Sequence, residues 1–587
     1  MVRDGQPAVD RRQFLKVAGA AGGASVLAGC SGETGGDTDG ESPATDDSTG
    51  TDTTVEQTTE KPSEVKTGGE LVVTVASQAQ TLNPHLGDQT TDSALAQAYS
   101  NSLLRFEQDG TIAGDLATDY TVSEDGTTYT LTLHEGVQFH GDYGECDAEA
   151  VRESFLKIIT DKEYGAVNRG EFEGILWGEG PDGNQLDPAS RITATGTYEI
   201  EFSLAKRDVT FPSKLTSYRT AVLPVEALDE HGEDFGTFDT GVWATGPFQF
   251  ESAAASGPYE FSANPDYFKE TEAGQLPYLD GVRYSVVPDG TVRNTKLKTG
   301  EAHVNPTVPA NKVKDLENAG EVEVLSMPSV ERINMYINWR NVEPMGKKKV
   351  RHALGHASNR QAIKSVKFAG RADPAWSVFP PWHWAYDEDA VSKYPYDIDR
   401  AKSLMEEAGE GDGFSLEVDV TNQPKFVDIA QILQQSYKKI GVDMSINPKE
   451  KGSVWGPWYP SEWDDEDEKE ENREVGPPPE VEALIESIGY GFSADGYAYL
   501  GFHTRGYFNS SFYGDDEVDQ WLEAARRTTD RAERKELYRK VQQKVTEFYP
   551  LIMQVWPHTN QGRRSDVKNY IAYPTRTPHV EQVFIDE

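Results

Sequence analysis

Cysteine is almost missing from this chain: 587 residues hold two, Cys30 and Cys146. If Cys30 is consumed in an anchor, as argued below, Cys146 has no partner and no internal disulfide can form. Basic residues are also scarce. Lys and Arg total 56 against 98 Asp and Glu, a formal charge of −42. A phosphate backbone would be repelled, so nucleic acid is excluded as a partner. Long apolar runs are missing too, since a bilayer span needs roughly 20 residues and only one short apolar stretch, near the start, is directed at a membrane. Neither a G-x-S-x-G nucleophile elbow nor a phosphate-binding P-loop occurs, and the chain is expected not to be an enzyme and to need no cofactor.

What is present begins with DRRQFLKVAGAAGGASVLAGC, residues 10–30. Arg11 and Arg12 precede Phe14, Leu15 and Lys16, and a small-residue apolar stretch runs from Val17 to Ala28. A charged start followed by a short apolar region is an export signal. The paired arginines fit the twin-arginine route, with Asp10 standing where that motif has Ser or Thr. Leu27-Ala28-Gly29-Cys30 resembles a lipoprotein box, which implies that Cys30 becomes a lipidated N-terminus in the bilayer. Residues 30–66 are Gly, Ser, Thr, Asp and Glu with few apolar side chains. Such a segment cannot bury enough surface to offset its ordering entropy. It reads as a tether reaching on the order of 30 Å. The acidic surface with few lysines suits a salt-rich milieu, where solvated carboxylates keep a protein soluble. We read the chain as a haloarchaeal exported protein on the outer face of the cytoplasmic membrane.

The roughly 520 residues that follow are too many for one compact core, so two or more lobes are expected. GELVVTVA (69–76) alternates into a strand. TDSALAQAYSNSLLRF (91–106) carries Leu95, Ala98, Leu103 and Leu104 at helical spacing. Asp125-Gly126 marks a hairpin turn, and Asp147 caps a helix running to Ile159. TGTYEIEFSL (195–204) continues the mixed pattern. Near Gly300 helices such as 347–366, 397–409 and 428–441 begin to alternate with strands such as 414–420, the signature of an α/β lobe. Residues 461–480, SEWDDEDEKEENREVGPPPE, read as a solvated acidic insertion. A long helical region then precedes PLIMQVW (550–556).

Five segments, in order, resemble the dipeptide/oligopeptide-binding (family 5) solute-binding proteins of ABC importers. They are AGDLATDYTVSEDGTTYTLTLHEGVQFHGDYGECDAEAVRESFLKI, ATGPFQFE (244–251), LPYLDGVRYSVVPDGTVRNTKLKTGEAHV, KKVRHALGHASNRQAIKSVKFAGRADPA and YDIDRAKSLMEEAG. Tyr120, His134, the Cys146-Asp147 pair and His303 depart from the commoner residues. The match covers most of residues 69–560. It implies an α/β, two-lobed periplasmic-binding-protein-like fold of type II, with an extra subdomain in the first lobe and a ligand cleft between lobes. The first lobe is expected at 67–304, the second at 305–554, and a return to the first at 555–587. The implied function is capture of a small ligand, a di- or oligopeptide, by a monomer that delivers it to ABC permease subunits. An oligosaccharide or metal-chelate receptor, or a sensor subunit, stays open on the same fold.

Within GYGFSADGY (489–497), Gly491, Phe492 and Asp495 fall where the peptide binders have Gly-Trp-x-x-Asp. The resemblance implies that Asp495 faces a peptide ammonium, an ion pair worth orientation as well as affinity when desolvated. Phe492 keeps an aromatic wall but loses an indole donor. An Asp before Gly496 is also ordinary turn chemistry. Trp376, Trp382, Trp384, Trp455, Trp458 and Tyr459 form an aromatic concentration that could stack on a ligand. Trp455, Trp458 and Trp384 are the expected contacts. His352 and His356 sit four apart on a helix, but no third ligand or base accompanies them, so no metal site is expected.

Overall fold

The computed structural model describes residues 64–586 except 88, 109, 162–168, 459–475, 490 and 507. Arg11, Arg12, Cys30, the tether, Tyr459 and most of the acidic insertion lie outside the described residues.

The apolar run LVVTV makes Glu70–Val75 a strand buried on both faces, which suits a parallel neighbour on each side. It pairs in parallel with Gly281–Val286, Val73 opposite Tyr284, and with Val304–Asn305 on its other edge. Outward from Gly281–Val286, Tyr259–Ala263 and Phe248–Ala253 complete the sheet of the first lobe. Leu71, Val73, Tyr99, Phe248, Tyr259, Phe261 and Val282 form its core. A separate four-stranded antiparallel sheet makes a subdomain, with Ala117–Val122 beside Thr128–Leu133, then Glu199–Ser203, then Ile192–Gly196. Gly126 supplies the positive φ of its first hairpin, at 72°. The helix Ala148–Thr160 covers this sheet. Asp147 caps it by accepting from the Glu149 and Ala150 amides, and Val151, Phe155 and Ile159 press on Leu131, Ile200 and Phe202. Cys146 is a free thiol in this core, 2% exposed, and burial raises its pKa.

In the second lobe the strand order is Leu551–Arg564, Glu331–Ile337, Ala483–Gly489, Phe414–Thr421 and Val442–Lys449. Alternate side chains of a strand point to opposite faces, and here they serve two cores. Ile333, Met335, Ile337 and Ile485 pack against the helices Lys348–Ala357, Ile398–Glu407 and Pro424–Tyr437. Tyr336 and Leu484 pack on the other side, among Ala494–Phe502, Asp516–Arg527 and Arg531–Phe548. The stretch expected to be helical over 347–366 breaks at Ser358, because the Asn359 side chain caps the Ala362 amide and starts a new turn. The long helical region divides likewise: Asp530 caps Arg531–Phe548 through the Glu533 amide.

One strand belongs to both lobes. Residues 551–555 of Leu551–Arg564 pair with Glu331–Ile337, while residues 558–564 pair with Val322–Pro328. The two connecting segments meet at Ser329, whose amide donates to Pro557 at 3.0 Å. The lobe boundary expected at residue 305 therefore moves to about 329. The intervening residues stay with the first lobe because Val308, Val313, Leu316 and Val322 pack on Leu297, and Val304–Asn305 joins the first-lobe sheet.

Candidate functional site

The lobes touch across a cleft. Phe106 of the first lobe meets Phe492 of the second with ring centroids 4.5 Å apart, and the Val209 amide donates to the Arg526 carbonyl at 2.8 Å. The helix Thr90–Tyr99, which lies in the first-lobe core, leads directly into the cleft wall. Ser100, Ser102, Leu104, Arg105 and Phe106 line a small cavity of about 40 Å³ together with Asp115 and the returning segment at Tyr573, Thr575, Thr577 and His579. Gly246 holds this wall in place. A Cβ there would stand 2.1 Å from the Tyr99 carbonyl carbon, so only glycine lets the 244–248 turn lie on the wall.

The cavity's charges are arranged in pairs. Arg105 donates from Nε to Glu107 at 3.0 Å and from Nη1 to Glu581 at 3.4 Å. Asp115 accepts from Lys269, from Asn101 at 2.9 Å and from the Ser102 amide at 2.9 Å. Burial alone would raise the Asp115 pKa, but Lys269 and Arg105 outweigh it and hold the carboxyl below its ordinary value. His579 is shifted down as well, in its case by burial. The arrangement gives a small polar pocket whose buried charges are already paired within the protein.

The residues expected from sequence are placed differently from one another. Gly491 has φ 70°, and Phe492 is 7% exposed with its carbonyl accepting from His383 Nε2 at 3.1 Å. Both sit at the lobe contact. Asp495 is also there, and its carboxylate already has a partner within the protein. Arg526 Nε and Nη2 donate to its two oxygens, each at 2.7 Å, in a forked pair. Burial would raise the Asp495 pKa; Arg526 reverses that and lowers it. Arg526 itself stacks on Tyr499, 3.2 Å from the ring centroid. Trp455 and Trp458 lie in the second-lobe core. They are 1% and 0% exposed, and pack on Tyr336 inside the second lobe with centroids 5.2 and 6.0 Å away. Apolar rings of that size gain more from full burial there than from an open stacking position. Trp384 lies under the guanidinium groups of Arg531 and Arg534, 5.0 and 5.3 Å from its centroid. His352 and His356 bond separately to the backbone carbonyls of Glu547 and Pro395, each at 2.8 Å.

The sequence reading missed Arg105, Asp115, the 573–579 segment and Arg526. The available signal was the charge of Arg105 in SLLRF, within the strand Leu104–Phe106 that follows the helix Thr90–Tyr99.

The sequence pattern described as bacterial extracellular solute-binding proteins, family 5 Middle, matches residues 111–472. Among curated proteins, the glutathione-binding protein GsiB of Salmonella typhimurium is 29% identical over 83% of this chain and 89% of its own length. GsiB of Escherichia coli is 28% identical over 82% and 88%. Among solved structures, the periplasmic binding protein DppA of Helicobacter pylori in complex with peptide STSA shares the fold. Its TM-score is 0.71 at 24% identity, over 89% of this chain and 99% of that one. The oligopeptide-binding protein AppA of Bacillus subtilis, in complex with a nonapeptide, also has TM-score 0.71, at 23% identity over 89% and 100%.

Proposed function

We propose that this chain, which belongs to the bacterial extracellular solute-binding proteins of family 5, captures a short peptide or glutathione-like ligand and hands it to the permease of an ABC importer. The observation that carries the reading is the polar pocket at the contact of two lobes joined by two strands. The GsiB relatives, named for glutathione binding, support the ligand class. Two connecting segments leave the lobes free to rotate about Ser329 and Pro557 while each core stays intact, the usual geometry of hinge closure around a ligand. Closure would remove water from the hydroxyls and ion pairs of the 100–106 and 573–579 segments, so that a ligand replaces those waters with fixed partners.

The same reading places the protein at a membrane. Arg11 and Arg12 drive export, Cys30 carries the lipid, and the 30–66 segment spaces the receptor from the surface. It acts as a receptor and not as a catalyst. Calorimetry with glutathione and with short peptides tests the ligand class. Binding of at least one in the micromolar range or tighter is expected, and binding of oligosaccharides alone overturns the reading. Cell fractionation tests the anchor: Cys30→Ser should release the protein from membranes, and unchanged membrane retention contradicts it.

A further inference from the structure

Charged contacts bridge the lobes beside the hinge. His558 is the residue of the crossing strand nearest the hinge that still pairs with the first lobe, opposite Pro328. Its Nε2 lies 3.1 Å from Asp373 Oδ2. Asp373 belongs to Ala372–Pro374, a strand that pairs with residues 555–557, on the second-lobe side of the crossing. Beside it, the Arg371 carbonyl accepts from the His558 amide at 3.0 Å, and the Arg371 guanidinium donates to Glu317 of the first lobe at 3.4 Å. Lys364 stands 3.8 Å from the other Asp373 oxygen. Arg576, from the returning segment, donates to Thr559 at 3.2 Å and reaches Glu331, which Lys425 also holds. Met327 and Pro328, opposite Thr559 and His558, carry no charge. The imidazole and its carboxylate are partly desolvated, 21% and 35% exposed. The His558 hydrogen bond is the first cause holding the Asp373 carboxyl below its ordinary value, against burial that would raise it. Imidazole is the side chain that ordinarily changes charge between about pH 5 and 8.

We propose that His558 and Asp373 form a pH-sensitive latch across the hinge: with the imidazole protonated the pair holds the lobes closed, and with it neutral the lobes are released toward an open state. The proposal rests on the hinge reading above and adds what biases it. His558 keeps its register with one lobe and its partner carboxylate keeps its register with the other, so the pair is made at one lobe angle. That is the angle at which Phe106 meets Phe492 and Val209 meets Arg526. The closed state offers the imidazolium a carboxylate that opening withdraws, so the closed state binds the proton more tightly. Closure is therefore favoured as pH falls through the imidazole range and weakened as pH rises through it. The bias persists until Asp373 takes up its own proton, below the ordinary carboxylate range. Glu317 and Arg371 bridge the same two lobes with charges that do not change in this window. They add a pH-independent bias in the same direction. Such a receptor retains its ligand in mildly acidic surroundings and gives it up more readily in alkaline ones.

The test uses the full chain in a Cys30→Ser background, dialysed free of ligand, with spin labels on Val122→Cys and Gln543→Cys. Both positions are exposed, one on a first-lobe strand and the other on the second-lobe helix Arg531–Phe548. Cys146, 2% exposed, is too buried to take the label. Pulsed electron resonance reads the distance distribution between the lobes at about pH 5.5 and about pH 8.5, on either side of the imidazole range, at constant salt. The closed population should be about two- to five-fold larger at the lower pH, the scale of a partly exposed ion pair. His558→Gln keeps a donor without a titrating charge and should flatten the response, as should Asp373→Asn. A distribution that ignores pH overturns the latch. So does one that opens at the lower pH, or a response that survives His558→Gln. Should His558→Gln fail to fold, Asp373→Asn decides alone: a flattened response supports the latch and a retained one overturns it. Glutathione and peptide calorimetry on the same samples keeps the two readings apart. Binding with pH-independent distances overturns the latch alone, whereas failure of every peptide overturns the ligand reading and leaves the latch to the distances.

Discussion

Arg526→Ala would strand the Asp495 carboxylate, 4% exposed, without its fork of donors. Breaking one side of a buried pair costs about 3–5 kcal/mol, so the urea midpoint should fall sharply; a loss within about 0.5 kcal/mol, typical of a surface site, would contradict the burial. Glu331 is the second residue with a measurable signature. It follows the Ser329 crossing point, and its carboxylate meets Lys425 Nζ at 2.5 Å and Arg576 Nη2 at 3.6 Å. Burial pushes its pKa up, yet Lys425 and Arg576 outweigh it and bring the value down to about 2. A depressed carboxyl stabilises the fold above its unfolded pKa, and that stabilisation is lost as pH falls through the folded value. The stability difference between wild type and Glu331→Gln should be on the order of 2–3 kcal/mol at neutral pH. It should shrink between about pH 4.5 and pH 2, where the carboxyl takes up its proton in both states. A pH-independent difference would contradict the ion triad.

Segments as well as side chains carry the site. Gly246→Ala puts a Cβ against the Tyr99–Ser100 peptide, and Ser100 is part of the cavity wall. The substitution should cost about 1–3 kcal/mol of stability through forced backbone shifts and weaken ligand binding at least tenfold by moving that wall. A variant that loses stability while binding glutathione or peptides normally would detach the turn from the site. This glycine was visible in sequence only as part of ATGPFQFE; its reason, a backbone 147 residues earlier in the chain, was not. Elements governed by local chemistry were legible: the Asp147 cap and the Asp125-Gly126 hairpin follow from side-chain acceptors and a positive φ. The site itself was legible only in part. The family resemblance pointed to Phe492, which meets Phe106 at the lobe contact, but Arg526 lies 31 residues beyond the Asp495 it neutralises. Nothing periodic links the 100–106 and 573–579 segments. Trp455 and Trp458 misled because a loop rich in Gly and Pro looks exposed, whereas bulky rings there complete a core.

For the molecule as a whole, the charge of −42 sets solution behaviour. Carboxylates repel one another at low ionic strength, and the Debye length contracts from roughly 10 Å at 0.1 M to 3 Å at 1 M salt. The unfolding midpoint should therefore climb as KCl is raised from low to molar concentration, and a flat or falling midpoint would contradict the reading of a salt-adapted surface. Function at this scale depends on the two strands that carry one lobe over the other and on the cavity they close. In this structure the lobes touch at Phe106–Phe492 and Val209–Arg526. Closure around a peptide-like ligand is checked by purifying the protein natively, denaturing it, and identifying the released compound by mass spectrometry. A short peptide or glutathione-like molecule is expected; recovery of an oligosaccharide or a metal chelate in stoichiometric amount would overturn the peptide reading.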